Sequence, residues 1–245
     1  MDYTPYEEFA REKLGFEFHD INLLVTALTH RSYVNEHRKT SEHNERLEFL
    51  GDAVLELVSS DFLYRTYDEP EGIMTAVRAA LVRTESIGDA GKKLGYAPLV
   101  RMSKGEQMGS ERAHDVILAD CFEAVIGAIY LDQGYEVARD FIDKNILSRI
   151  DLVIKEELWR DPKSYAQELA QKFDGETPVY HTLQETGPDH DKTFTVGIYV
   201  GDECICTGSG HSKQDAQTEA ARRAILKYKK RFPDRIVEGL KLHKA

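Results

Sequence analysis

The sequence of 245 residues contains only three cysteines and no long apolar run, and it lacks an excess of basic residues. Three cysteines cannot form a disulfide framework, and Cys204 and Cys206 lack the second pair or the histidines of a zinc site. No segment reaches the roughly 18 apolar residues of a membrane span. The N-terminal MDYTPYEEFAREKLG is too charged for a secretory signal. We therefore expect a cytoplasmic protein without membrane association.

The formal net charge is -11 at pH 7, and only the segment from Lys229 onward has more basic than acidic residues. Proteins that bind nucleic acids neutralise phosphates with clustered lysine and arginine side chains. A polyanionic partner must therefore meet a local basic patch or a bound cation.

The spacing of apolar residues divides the chain into two parts. Up to residue 157 they recur three and four apart, as in RLEFLGDAVLELVSSDFLY and ILADCFEAVIGAIYLD, which predicts helices. After Asp161-Pro162 we predict one helix, three strands that include the alternating KTFTVGIYV, and a last helix. The fold class is thus an all-α domain over 1–157, a small α+β domain (α-β-β-β-α) over 161–230 and a basic tail over 231–245.

The segment HNERLEFLGDAVLELV places a row of carboxylates along one side of a helix and an apolar side opposite. The row consists of Glu45, Glu48, Asp52 and Glu56. Arg46 is the only cation between Asn44 and Tyr64, so the row repels itself unless something offsets the charge. The alternative is a solvated acidic face.

A second helix, VILADCFEAVIGAIYLD, carries Asp120 and Glu123 among residues that are otherwise apolar, which predicts burial. Buried carboxylates must be paired, protonated or bound to a metal. Gly51 and Gly127 lie within a turn of the acids and would let the two helices approach closely. Two close helices with a carboxylate pair each suit Mg²⁺ or Mn²⁺. A di-iron bundle is the competing interpretation, but its Glu-x-x-His motif is absent from these helices.

The second part of the chain carries a polar helix face and a candidate phosphate site. In SYAQELAQ the residues that share the polar face are Ser164, Gln167, Glu168 and Gln171. In GSGHSKQDAQ, Ser212 is a good N-cap, and Lys213 adds an ammonium to the N–H groups and dipole of the last helix. The loop GPDHDK adds His190 and Lys192. Without this context, a merely polar surface would explain the helix face.

These segments resemble a known family. HNERLEFLGDAVL resembles the signature of the ribonuclease III family, and ILADCFEAVIGAIYLD resembles its second acidic helix. The segments DPKSYAQELAQ, GPDHDKTFTV and GSGHSKQDAQTEAA resemble parts of a double-stranded RNA-binding domain. The resemblance implies a homodimeric endonuclease that cuts double-stranded RNA with Mg²⁺, for which Mn²⁺ substitutes, and that uses no small-molecule cofactor. It also implies 5′-phosphate and 3′-hydroxyl ends, short 3′ overhangs, and roles in processing ribosomal, messenger and small RNAs.

The same resemblance assigns roles to individual residues. It assigns metal binding to Glu48, Asp52, Asp120 and Glu123, with Asp52 and Glu123 as the catalytic residues. Glu45 and Glu71 match two further acidic positions with supporting roles. The positions that match RNA contacts are Ser164, Gln167, Glu168, Gln171, His190, Ser212, Lys213 and Gln214.

Some features bear on partners and on rival functions. Gln214 stands where the family commonly has a second lysine. Phe49 and Leu55 lie off the main apolar stripe of the signature helix, and we expect them to help pair two subunits.

The competing functions are a catalytically silent double-stranded RNA-binding or scaffolding protein and a metal hydrolase of small phosphate esters. Loss of a metal-binding acid would favour the silent protein, but all four are present.

Overall fold

The structure is a computed structural model that describes residues 2–37, 42–188, 191–235 and 240–242. The chain divides into two compact units. Unit 1 comprises Met1–Trp159 and Leu240–Ala245, and unit 2 comprises Arg160–Gly239. The predicted boundaries of the domains and of the basic tail stay predictions.

Unit 1 is helical throughout its described residues. Its α-helices are α1 (Thr4–Phe9), α2 (Ile21–Ala27), α3 (Arg31–Glu36), α4 (Glu45–Thr66), α5 (Glu71–Val82), α6 (Thr84–Leu94), α7 (Lys104–Gln107), α8 (Glu111–Gln133), α9 (Tyr135–Asn145) and α10 (Ile150–Lys155). A π-helical turn (Ala10–Leu14) and 3₁₀ turns (Ala97–Leu99, Leu147–Arg149) complete it. None of the described helices combines the length and the apolar character that crossing a bilayer requires.

The long helices α4 and α8 pack against each other at the centre of unit 1. Ser110 caps α8 by accepting a hydrogen bond from the backbone N–H of Ala113, and Gly134 ends it with a positive φ. Most of the middle of α8 is buried, as its apolar sequence predicted. This burial brings Asp120 and Glu123 to the contact between the two helices.

Two details of α4 differ from the sequence expectation. Leu55 is fully buried in the core, so it cannot pair subunits, and that part of the prediction was wrong. Leu57, which the helical pattern places on the apolar side, is 57% exposed. Phe49 is 80% exposed, as its position off the main stripe predicted. A helix that packs against one neighbour buries a single apolar stripe. A helix with neighbours on more than one side also buries residues outside that stripe.

Unit 2 has the predicted α-β-β-β-α order. Its elements are α11 (Pro162–Asp174), β1 (Val179–Thr186), β2 (Thr193–Val200), β3 (Glu203–Gly210) and α12 (Lys213–Arg231). The strands form an antiparallel sheet in the order β1-β2-β3. Asp161 and Ser212 cap the two helices, whose apolar sides bury a core around Tyr165, Leu169 and Ile198.

The described residues near the C-terminus, 240–242, belong to unit 1. Leu242 forms an isolated antiparallel bridge with Tyr67. The backbone N–H of Asp68 donates to the carbonyl of Lys241 (2.8 Å), and the N–H of Lys241 donates to the Glu69 carboxylate (2.7 Å). This end of the chain therefore contacts the connection between α4 and α5.

Candidate functional site

The candidate site lies where the backbones of α4 and α8 touch. A Cβ atom added to Gly51 would overlap the carbonyl oxygen of Glu123, and one added to Gly127 would overlap the carbonyl oxygen of Leu47. Each helix therefore needs its glycine where the other helix crosses, as the sequence indicated. The crossing holds Glu48 and Asp52 of α4 next to Asp120 and Glu123 of α8.

The carboxyl groups at this crossing share an environment that disfavours negative charge. Burial raises the pKa of Glu123 to about 8, with further contributions from the charges of Asp52, Glu48, Asp120 and Glu56. Burial, followed by the charges of Asp120, Glu45 and Asp52, also raises the pKa of Glu48. The pKa of Asp120 is raised by burial and by Glu45, although His30 opposes this effect. Several carboxyl groups are therefore close enough to repel one another.

Two arginines from neighbouring helices offset the outer acids of the α4 row. The Arg31 guanidinium lies 3.2 Å from the Glu45 carboxylate, and that of Arg78 lies 2.8 Å from Glu56 and donates to Ser60 (2.7 Å). Within the described part of the chain, Glu48, Asp52, Asp120 and Glu123 form no ion pair. In the α4 row and at its crossing with α8, the acids that form no ion pair are thus the four that the resemblance assigns to a metal.

A cavity of about 460 Å³ opens beside these acids. It is lined by His30, Arg31, Asn44, Glu45, Glu48 and Asp120. The side chain of His30 is oriented by Ser32, whose hydroxyl lies 2.8 Å from the ring Nδ1. Asn44 is buried, and its backbone N–H donates to the carbonyl of Thr29. Sequence reasoning did not single out these three non-acidic lining residues, although Asn44 lies within the signature segment and His30 and Arg31 lie shortly before it.

Glu71 does not join this cavity. It lies at the first position of α5 and lines a different cavity, also of about 460 Å³, with Leu57, Tyr64, Met74 and Arg78. The structure thus separates the two acids that the resemblance grouped as supporting residues, because Glu45 lines the first cavity.

The donor chemistry of the four acids suits a hard divalent cation, since all of their ligating atoms are carboxylate oxygens. A cation would also relieve the repulsion that raises the pKa of Glu123. In the described ranges, no three His, Cys, Asp or Glu side chains converge closely enough to hold a metal ion. Coordination of one ion by several of these acids therefore requires a change of side-chain rotamer.

The predicted RNA contacts of unit 2 are solvent-accessible where the structure describes them. In α11, the four predicted contacts are all exposed: Ser164, Gln167, Glu168 and Gln171. Ser212 accepts a hydrogen bond from the backbone N–H of Asp215 (3.0 Å), and Lys213 and Gln214 are exposed beside it. His190 lies outside the described residues.

Comparison with known proteins identifies both units. A ribonuclease-III-like family model matches residues 20–150, and a double-stranded RNA-binding motif matches residues 162–228. Ribonuclease 3 of Desulforamulus reducens is 45% identical over 88% of each chain. Ribonuclease 3 of Enterococcus faecalis is 44% identical over 88% of this chain and 94% of its own.

A solved structure is similar to unit 1. It is the nuclease domain of ribonuclease III from Campylobacter jejuni, which is 40% identical and matches with a TM-score of 0.50. The match covers 56% of this chain and 96% of that domain, whose description refers to a region involved in dimer formation.

Proposed function

The chain belongs to the ribonuclease III family of double-stranded RNA endonucleases, and we propose that it cuts duplex RNA as a Mg²⁺-dependent homodimer. We further propose products with 5′-phosphate and 3′-hydroxyl ends and short 3′ overhangs, and roles in processing ribosomal, messenger and small RNAs. The observation that carries the proposal is the crossing of α4 and α8, where four acids without cationic partners meet at a glycine contact.

The metal ligands would be Glu48, Asp52, Asp120 and Glu123. Mg²⁺, or Mn²⁺ in its place, would supply positive charge at the attacking and leaving oxygens of the phosphodiester and would activate water. The chain itself sets the spacing of the acids, because Gly51 and Gly127 allow the two helix backbones to come into direct contact. Burial raises the pKa of Glu123 to about 8, so a nearby cation would favour its charged form.

The cavity beside the acids fits the approach of an RNA backbone. Arg31 lies at its wall and is 66% exposed, so it can offer positive charge to a phosphate at the edge of an acidic site. In unit 2, the exposed polar face of α11 is suited to 2′-hydroxyl groups and the shallow minor groove of A-form RNA. Lys213 at the start of α12 is suited to a phosphate across the neighbouring groove. Recognition would then depend on duplex shape rather than on base sequence.

The proposed homodimer rests on apolar surface that unit 1 leaves uncovered. Phe49, Leu57 and Tyr64 of α4 are 80%, 57% and 71% exposed. Leu57 and Tyr64 also line the cavity that contains Glu71 and Met74, which is large enough to receive an aromatic side chain. Exposed apolar residues beside a cavity of mixed polar and apolar lining are consistent with a protein interface. Pairing two copies would provide one acidic site for each strand of a duplex.

The test is to incubate the protein with long double-stranded RNA and with single-stranded RNA of the same sequence, in Mg²⁺ and in chelator. We expect short duplex products in Mg²⁺ alone and little cleavage of the single strand. End labelling should find 5′-phosphates and 3′-hydroxyls. Binding without cleavage in Mg²⁺ and Mn²⁺ would instead support the silent RNA-binding protein.

A further inference from the structure

Lys213, which is proposed to contact RNA, already forms an ion pair within unit 2. The Lys213 ammonium lies 2.8 Å from the Glu185 carboxylate and 5.5 Å from the centroid of the Phe194 ring. The sheet explains this arrangement, because Glu185 of β1 pairs with Phe194 of β2, which in turn pairs with Gly210 at the end of β3. Glu185 therefore lies at the edge of the sheet where the chain enters α12.

Other side chains at this end of the sheet also lie close to acids. His211 precedes α12 and lies 3.4 Å from the Asp191 carboxylate. The hydrogen bond from Lys213 lowers the pKa of Glu185, and the charge of Lys192 contributes to the lowering. Glu185 is thus a carboxylate anion at neutral pH, held among the cations that a phosphate would approach.

We propose that Glu185 masks Lys213 and thereby limits the affinity of the protein for RNA. This inference rests on the proposed role of Lys213 as a phosphate contact. A phosphate that binds Lys213 must compete with the Glu185 carboxylate for the ammonium and must also tolerate its negative charge nearby. Both effects oppose binding, and both disappear when Glu185 is replaced by a neutral isostere.

An RNA phosphate can readily displace Glu185 from its ion pair with Lys213. Lys213 and Glu185 are 57% and 43% exposed, and ion pairs this exposed to solvent contribute little stability. RNA can therefore break the pair without disturbing the core of unit 2, since neither side chain belongs to that core. With Lys213 masked, RNA binding by this acidic domain would depend on the contacts of α11 with the RNA minor groove as well as on charge.

The chain offers a matched control for Glu185. Glu203 also pairs with a lysine, Lys227, at a distance of 3.7 Å. It begins β3 and pairs with Val200, so it lies at the opposite end of the same sheet. Glu185→Gln and Glu203→Gln change the net charge equally but remove the carboxylate beside different lysines, Lys213 and Lys227.

The experiment measures the affinity of the full chain for an RNA duplex of about 20 base pairs, longer than one binding domain spans. Chelator prevents cleavage, and the measurement is repeated over a salt series. We expect Glu185→Gln to tighten binding about threefold at low salt, with less gain at high salt because exposed charges are screened. Glu203→Gln should leave affinity within about 1.5-fold of wild type.

A double-mutant cycle with Lys213→Ala isolates the pair. Lys213→Ala alone should weaken binding and lower the salt slope of log affinity by about one unit. In that background Glu185→Gln should gain less than about 1.5-fold, because the ammonium it would release is gone. Circular dichroism and thermal melting of each variant establish that unit 2 remains folded.

Each contrary outcome has a distinct meaning. Weaker binding by Glu185→Gln would show that Glu185 positions Lys213 rather than masks it, which overturns the inference. The same gain in affinity from Glu203→Gln, or from Glu185→Gln in the Lys213→Ala background, would show that only the net charge of the domain matters. Either result would also overturn the inference. Unchanged affinity of Lys213→Ala would remove Lys213 from the RNA interface, and the proposed role and the mask would then fail together.

Discussion

At the scale of single residues, the protonation of Glu123 links the candidate site to stability. Its pKa of about 8 in the folded chain lies far above the value of about 4.3 for an unfolded glutamate. A raised carboxyl pKa contributes stability at pH values below the unfolded pKa, and this contribution is lost as the pH rises through the folded value. The metal-free protein should therefore lose stability between about pH 5 and pH 8.

Glu123→Gln should remove this pH dependence. In chelator near pH 8.5, the free energy of unfolding of the variant should exceed that of wild type by on the order of 1 to 2 kcal/mol. This figure allows for partial hydration of the carboxyl group. The difference should shrink towards pH 5, where the wild-type carboxyl group is protonated. Urea unfolding of both proteins at the two pH values measures it. A gap that stays constant with pH would mean that Glu123 is not held protonated by its surroundings.

At the scale of secondary-structure elements, the contact of α4 with α8 sets the geometry of the site. Gly51→Ala should destabilise unit 1 by about 3 kcal/mol, because the new Cβ atom would overlap the Glu123 carbonyl and force the helices apart. Gly72→Ala is the control, since a Cβ atom there has no neighbour within 4 Å. It should be neutral or slightly stabilising, as alanine favours a helix. Thermal unfolding of both variants measures the effect, and equal melting temperatures would contradict a tight crossing.

The sequence allowed the acids and glycines of this crossing to be predicted, because helical periodicity places them on defined sides of α4 and α8. It did not allow His30, Arg31 or Arg78 to be predicted as neighbours of the acids, because they come from other parts of the chain and only tertiary packing brings them near. Asn44 directly precedes α4, but its burial could not be predicted from the sequence. The burial of Leu55 has the same origin, because α4 contacts helices on more than one side, including α5, α8 and α9.

Unit 2 was more fully predictable. Alternation in β2, the cap residue Ser212 and the alanine stripe of α12 each specify local structure that the fold preserves. The pairing of Glu185 with Lys213 was not predictable, because it depends on which strand residues stand opposite one another. Register of that kind is set by the whole sheet rather than by any one strand.

At the scale of the whole molecule, exposed apolar surface on α4 should pair two copies of the chain. Phe49→Ser should shift the protein from dimer to monomer at micromolar concentration, because it removes an 80% exposed aromatic side chain from the proposed interface. Met108→Ser is the control, as Met108 is 88% exposed but follows α7 instead of belonging to α4. Sedimentation velocity distinguishes the two states. A wild-type monomer, or a dimer that tolerates Phe49→Ser, would contradict this interface.

The central claim is that the acids of α4 and α8 cut duplex RNA, and single-turnover cleavage by two charge-neutral variants tests it most directly. Glu123→Gln removes one proposed ligand, whereas Glu136→Gln removes a 70% exposed carboxylate of α9 that pairs with Arg139. Duplex affinity in chelator is measured in parallel. Glu123→Gln should lose cleavage in Mg²⁺ by at least about a hundredfold while its affinity stays within about twofold of wild type. Glu136→Gln should cleave normally. Cleavage by Glu123→Gln near the wild-type rate would contradict the account.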